Sequence, residues 1–259
     1  MGIGSATSIS VASFTAQSAG KPGGAKAAAA SSAAPAPSAA REAPAATASQ
    51  PSTGGKKDFA TVAKDARAAL DASYKAAGKN GSDIYTTFSE WKSLAAGMDR
   101  RSLYAVASNE GGQFSESEQV GAQNLMDSQR FEVMGITDNP VAAANPTAAM
   151  QKAAMQFLDT VSDEEKTSMT WANQRANHEL AYDLFSRQEG KEPEKLESDS
   201  PLVKLIKAGF DNLRRVGDPS RQMSDTPEYQ QAVQLSEQLK AGLKAQASGS
   251  RARAVDISA

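Results

Sequence analysis

The residues best spaced for chemistry are the oxygens around a Gly-Gly turn in SNEGGQFSESEQ, residues 108–119. With Gly112 as the hinge, Asn109 stands three residues before it, Ser115 three after it and Glu118 six after it. Oxygens at these intervals around a glycine turn suit a hard divalent cation such as calcium, and the carboxylate six residues past the glycine closes the loop on the ion. The donor set is thin, however. Ala107 and Gly111 occupy two positions where further side-chain oxygens are needed, so Glu118 is the only carboxylate offered. Affinity in such loops follows ligand charge and number, so weak calcium binding at best is expected.

The second half of this loop resembles that of an EF-hand, with Phe114 at the position where that family carries an apolar residue. The resemblance is confined to this stretch, and it implies Asn109, Ser115 and Glu118 as metal ligands. A reading without metal accounts for the same residues. Gly111 and Gly112 permit the turn, Ser115 caps the next helix, and Glu118 closes its capping box.

Other candidate chemistry is sparse. Cysteine is absent, which excludes disulfides, thiolate metal sites and cysteine nucleophiles. His178 is the only histidine, so zinc would need an unusual carboxylate site. It shares a helical stripe with Trp171, Ala181 and Phe185, which suits packing better than general-base work. The opposite stripe is Ala172, Ala176, Leu180 and Leu184. No phosphate-binding glycine loop or nucleophile elbow occurs, and Arg214, Arg215 and Arg221 suit a helix end more than a phosphate. A formal net charge of −2 and a pI near 5.6 give no positive field for nucleic acid or anionic lipid. No run approaches the roughly eighteen apolar residues of a membrane span. Neither catalysis nor a cofactor is expected.

The elements that must position these residues are helices. Apolar residues recur at helical spacing from about Lys57 onward, without period-two alternation. Phe59, Val62, Ala66, Leu70 and Tyr74 mark a first helix, ended by Gly78 and Asn80-Gly81. Thr87–Glu90, Ser115–Glu118 and Ser162–Glu165 read as capping boxes, and Asp99 as a further cap. Asn139-Pro140, Asn145-Pro146, Ser200-Pro201 and Thr226-Pro227 each pair a cap with a first-turn proline. The helix begun at Ser162 is expected to run to about Gln188. These signals predict an all-α, irregular globule of seven or eight short helices over residues 57–246, with a subdivision near 190–200 as an option. Residues 247–259 read as a disordered tail.

Residues 1–56 are dominated by Ala, Ser, Gly and Pro and hold too little bulky apolar surface to offset the entropy of ordering them. They predict a long disordered arm. Its composition resembles the unstructured export signals of type III and flagellar secretion substrates, while a plain tether accounts for it equally. The N-terminus lacks a basic stretch before an apolar run, so a cytoplasmic protein is expected, with secretion by a non-Sec route as the alternative. The function expected is that of a non-enzymatic helical interaction or adaptor protein of bacterial type. Its protein partner would meet a helical groove or helix face near Trp91, Tyr104 and Phe114, aromatic residues close to bends. A divergent calcium-responsive protein and an exported protein are the alternatives.

Overall fold

The computed structural model describes residues 57–79, 87–137 and 140–256. The expected arm, Asn80-Gly81 and Asn139 lie outside the described residues. Among those described, all regular elements are helical, and there are ten α-helices rather than seven or eight. They are α1 Phe59–Ala76, α2 Phe88–Leu94, α3 Arg100–Ala107, α4 Glu116–Val133, α5 Pro140–Ala144, α6 Ala148–Thr160, α7 Asp163–Lys166, α8 Met169–Gln188, α9 Pro201–Val216 and α10 Pro227–Asp256. The short α5 and α7 make up the difference.

Side chains of Thr87, Asp99, Ser115 and Ser162 each accept a backbone N–H three residues on, as the sequence predicts. Three boundaries differ. Asn145 does not cap α6: its amide donates to the Val141 carbonyl at 2.8 Å, and Thr147 accepts from the Met150 N–H instead. The N-cap falls one residue beyond Pro146, where an extended Thr147 (φ −122°, ψ 162°) aims its hydroxyl at the free amides. The helix opened at Ser162 stops after four residues, and Ser168 caps a new one by accepting from the Trp171 N–H at 3.1 Å. Finally, the backbone of α10 continues to Asp256, past the expected boundary at 246.

Two main apolar cores result. One gathers Val62, Leu70, Trp91, Leu103, Val106 and Met126 from α1 to α4. The other gathers Leu158, Trp171, Leu202, Val203 and Ile206 from α6, α8 and α9, with Ala232 of α10. Leu158, Leu202 and Ile206 are fully buried, each stabilising the fold by roughly 2–3 kcal/mol before entropy is counted. In the first core α4 approaches α2 so closely that a Cβ on Gly121 would lie 2.4 Å from the Trp91 indole. Only glycine fits there.

Residues 190–200 carry no helix, yet they are laid along α8 rather than spanning open solvent. The Leu196 carbonyl accepts from Arg175 at 2.8 Å, the Ser198 N–H donates to Glu179 at 3.1 Å, and the Glu194 N–H donates to Tyr182 at 3.2 Å. Because α8 and α9 share one core, residues 57–256 fall within a single compact unit. No described helix is long and apolar enough to cross a membrane.

Candidate functional site

The loop after α3 folds as the capping reading requires. Asn109 is the only described residue other than glycine with a positive φ, at 51°, and Gly111 and Gly112 follow at 76° and 70°. Asparagine tolerates this left-handed conformation because its short amide bonds locally. Here Asn109 Oδ1 accepts from the Phe114 N–H at 2.9 Å. Ser115 Oγ accepts from the Glu118 N–H at 3.3 Å, and Glu118 Oε2 accepts from the Ser115 N–H at 2.8 Å. The carboxylate does more than close this box. It is 3% exposed, takes Arg67 Nη1 at 2.8 and 2.9 Å on its two oxygens, and accepts the Tyr74 hydroxyl at 3.0 Å. Burial first, then the Glu118 charge, pushes the Tyr74 phenol up. All three side chains proposed as metal ligands therefore already accept hydrogen bonds from the protein itself. Among the described residues, no three His, Cys, Asp or Glu side chains are grouped to hold a metal ion.

The three aromatic residues expected near a partner face are turned inward. Trp91 lies on Gly121, Tyr104 stacks on Phe59 with ring centroids 5.7 Å apart, and the Arg67 guanidinium stands 5.5 Å from the Phe114 centroid. All three are buried, and burial pushes the Tyr104 phenol up to about 12. Nearness to a bend in the chain does not make an aromatic residue exposed; here each bend folds its ring back into the core. These rings are unavailable to a partner in this state.

His178 is buried, as its stripe with Trp171 predicts, but its polar partners come from two other helices. Arg130 of α4 approaches Nε2 through Nη1 at 2.9 Å, and Gln151 of α6 approaches Nδ1 through Oε1 at 2.7 Å. A guanidinium donates and never accepts, so Nε2 is the acceptor. Nδ1 must then carry the proton and donate it to Gln151. Burial first, then Arg130 and Arg175, lowers the imidazole pKa to about 3. A neutral ring with both nitrogens engaged has no lone pair for a substrate proton. The opposite stripe is only half inward: Ala172 and Ala176 are buried, whereas Leu184 is 53% exposed.

Arg130 and His178 belong to a polar seam between the two cores. Asp127 Oδ1 accepts from both Arg130 and Gln174, at 3.0 and 2.9 Å. Arg100 of α3 holds Glu165 at 2.7 Å, and Arg101 holds Glu164. Burial, the largest influence, raises the Glu165 pKa despite Arg100. Within the second core, Arg175 bonds Asp159 and Glu179, and Glu179 also accepts from Lys207. Glu189 accepts the Ala148 N–H at 2.8 Å and so caps α6 from 41 residues away. A hollow of about 490 Å³ between the ends of α1 and α2 has Lys79 and Glu90 as its charged lining, and these pair at 2.8 Å. Sequence reasoning missed these partners because no local pattern joins residues dozens of positions apart.

Beyond the seam, one flank of α4 and α8 presents apolar residues to solvent. The bonds Asp127 to Gln174 and Arg130 to His178 advance in the same direction along both chains, so long side chains bridge α4 and α8 in parallel orientation while each helix packs on α6. Helical rotation of about 100° per residue then places Val120 and Phe131 of α4 on the same flank of the pair as Ala181 and Leu184 of α8. Gln151 brings α6 to the opposite flank. Val120, Phe131 and Leu184 are 55%, 39% and 53% exposed. No protein-family model, no curated protein and no solved structure matches the chain, so the functional reading rests on this geometry.

Proposed function

We propose that the domain is a non-enzymatic helical interaction protein that docks an apolar strip of a protein partner on the open flank of α4 and α8. The observation that carries this reading is the exposure of Val120, Phe131 and Leu184 on one flank. Asn124, Ser128, Asn173 and Asn177 on that flank carry no charge, and the charged groups beside Phe131, Asp127 and Arg130, are paired with each other at 3.0 Å. Lack of charge at the centre of a patch, rather than apolar content alone, distinguishes interface cores from ordinary surface. Single exposed apolar residues need no explanation; three that share one flank mark it as the surface to test. The interleaved amides and hydroxyl suit hydrogen bonds to the partner's polar edge. This surface replaces the buried aromatic residues as the partner face. The mutually bonded ionisable groups support the non-enzymatic part of the reading.

Affinity capture with quantitative mass spectrometry tests it, using the full chain and the variants Val120→Asp, Leu184→Asp and Val216→Asp. Val216 is also exposed, but on α9. A protein retained by the wild type and by Val216→Asp, and lost with both α4 and α8 variants, is expected. Retention of every captured protein by Leu184→Asp, or turnover in a substrate screen, contradicts the proposal.

A further inference from the structure

The seam joins helices of two different cores, so its strength decides whether they move together. Its bond between Arg130 and His178 has a weakness written into its protonation state. Nε2 accepts from a cation and Nδ1 already carries a proton. A second proton can enter only at Nε2, where it removes the acceptor and leaves two cations facing each other. The charged groups around the ring offer no relief. From α4 come Arg130 and Asp127, and Asp127 is committed to Arg130 and Gln174. From α6 comes neutral Gln151, and the Asp159 of that helix is bonded to Arg175. On α8 itself stand Arg175 and Glu179, and from α9 Lys207, all three joined through Glu179. No carboxylate bonds the ring. Arg130 is also incompletely held: its Nε is buried without a hydrogen-bond partner.

We infer that the Arg130–His178 bond is an acid-sensitive latch, which protonation of His178 breaks so that α4 parts from α8. The closed form refuses the proton, because its ring titrates near 3 rather than 6.5. An open form, with the ring hydrated, takes it up. The closed form is therefore favoured fully above pH 6.5 and loses its advantage as pH falls from 6.5 towards 3. The ratio of open to closed should rise about 30-fold by pH 5. Glu165 acts in the opposite direction, since burial raises its pKa and so favours its protonation in the closed form. With a single histidine in the chain, the interval from about pH 7 to 5 belongs mainly to His178.

Native-state hydrogen exchange of the full chain, corrected for intrinsic rates, gives the opening constants of α4 and α8 amides at pH 7 and pH 5. The expected result is a roughly 30-fold rise in the wild type, confined to α4, α8 and α6. In His178→Gln, whose amide oxygen accepts from Arg130 without titrating, the rise should stay below about threefold. An equal rise in both proteins, or one spread evenly over all ten helices, overturns the latch. Nitrogen-15 imidazole spectra of the wild type provide a check that needs no variant. A proton on Nδ1 and no titration down to about pH 4.5 are expected; a proton on Nε2, or a native midpoint near 6.5, overturns it.

Discussion

Replacing Glu118 with glutamine separates a structural joint from a calcium loop in one step. In the folded chain the Glu118 carboxylate is almost fully buried and neutralises Arg67 while holding the Tyr74 hydroxyl and the Ser115 N–H. Glu118→Gln keeps the volume and one acceptor oxygen but removes the charge and points an NH2 group towards Arg67 or Tyr74. Breaking a buried ion pair by neutralising one partner costs about 3–5 kcal/mol. The low end applies, because Arg67 is 20% exposed and retains Asp71 at 2.8 Å. A loss of about 3 kcal/mol corresponds to a fall in Tm of roughly 6–12 °C for a domain of this size. Thermal unfolding by circular dichroism in EDTA measures it directly, and a double-mutant cycle with Arg67→Met should return a coupling of about 2 kcal/mol or more. A calcium loop behaves in the reverse way. Removing a ligand relieves charge in the empty loop, so Tm in EDTA should hold or rise, and the wild type alone should gain stability with millimolar calcium. That pattern would refute the joint.

Four further substitutions follow from the packing and the caps. Gly121→Ala should lose about 2 kcal/mol by denaturant titration, since the clash with the buried Trp91 indole outweighs the gain of about 1 kcal/mol in helix propensity. Gly242→Ala, with nothing within 4 Å of the new methyl, should instead gain up to about 1 kcal/mol. Thr147→Ala should cost about 1 kcal/mol through loss of the α6 cap, whereas Asn145→Ala should change stability by less than about 0.5 kcal/mol.

What could be read from the sequence was local. Thr87, Asp99, Ser115 and Ser162 were legible as caps because a capping side chain and its target amide are three residues apart. Thr147 was not, because Met150 stands where the signature wants Glu or Gln and Pro146 drew the cap two residues too early, to Asn145. The break before Ser168 was hidden for the same reason, with Trp171 at the third position. Glu165 shows the limit most clearly. It fills the capping-box position after Ser162, yet its carboxylate turns to Arg100, 65 residues away, because a charged guanidinium that reaches both its oxygens outcompetes a single neutral backbone amide. The burial of Trp91, Tyr104 and Phe114, the partners of His178 and the open flank of α4 and α8 all depend on which helices meet. Helical periodicity says that a face is apolar, not which neighbour covers it.

The central claim is that the flank carrying Val120, Phe131 and Leu184 meets a protein partner. A photo-crosslinking amino acid at position 184, irradiated in cells producing the full chain, tests it most directly, with position 216 on α9 as the reference. A discrete adduct from position 184, absent from position 216 and abolished by Val120→Asp, is predicted. Equal labelling from both positions, or none from position 184 while an adduct forms elsewhere, would contradict the account.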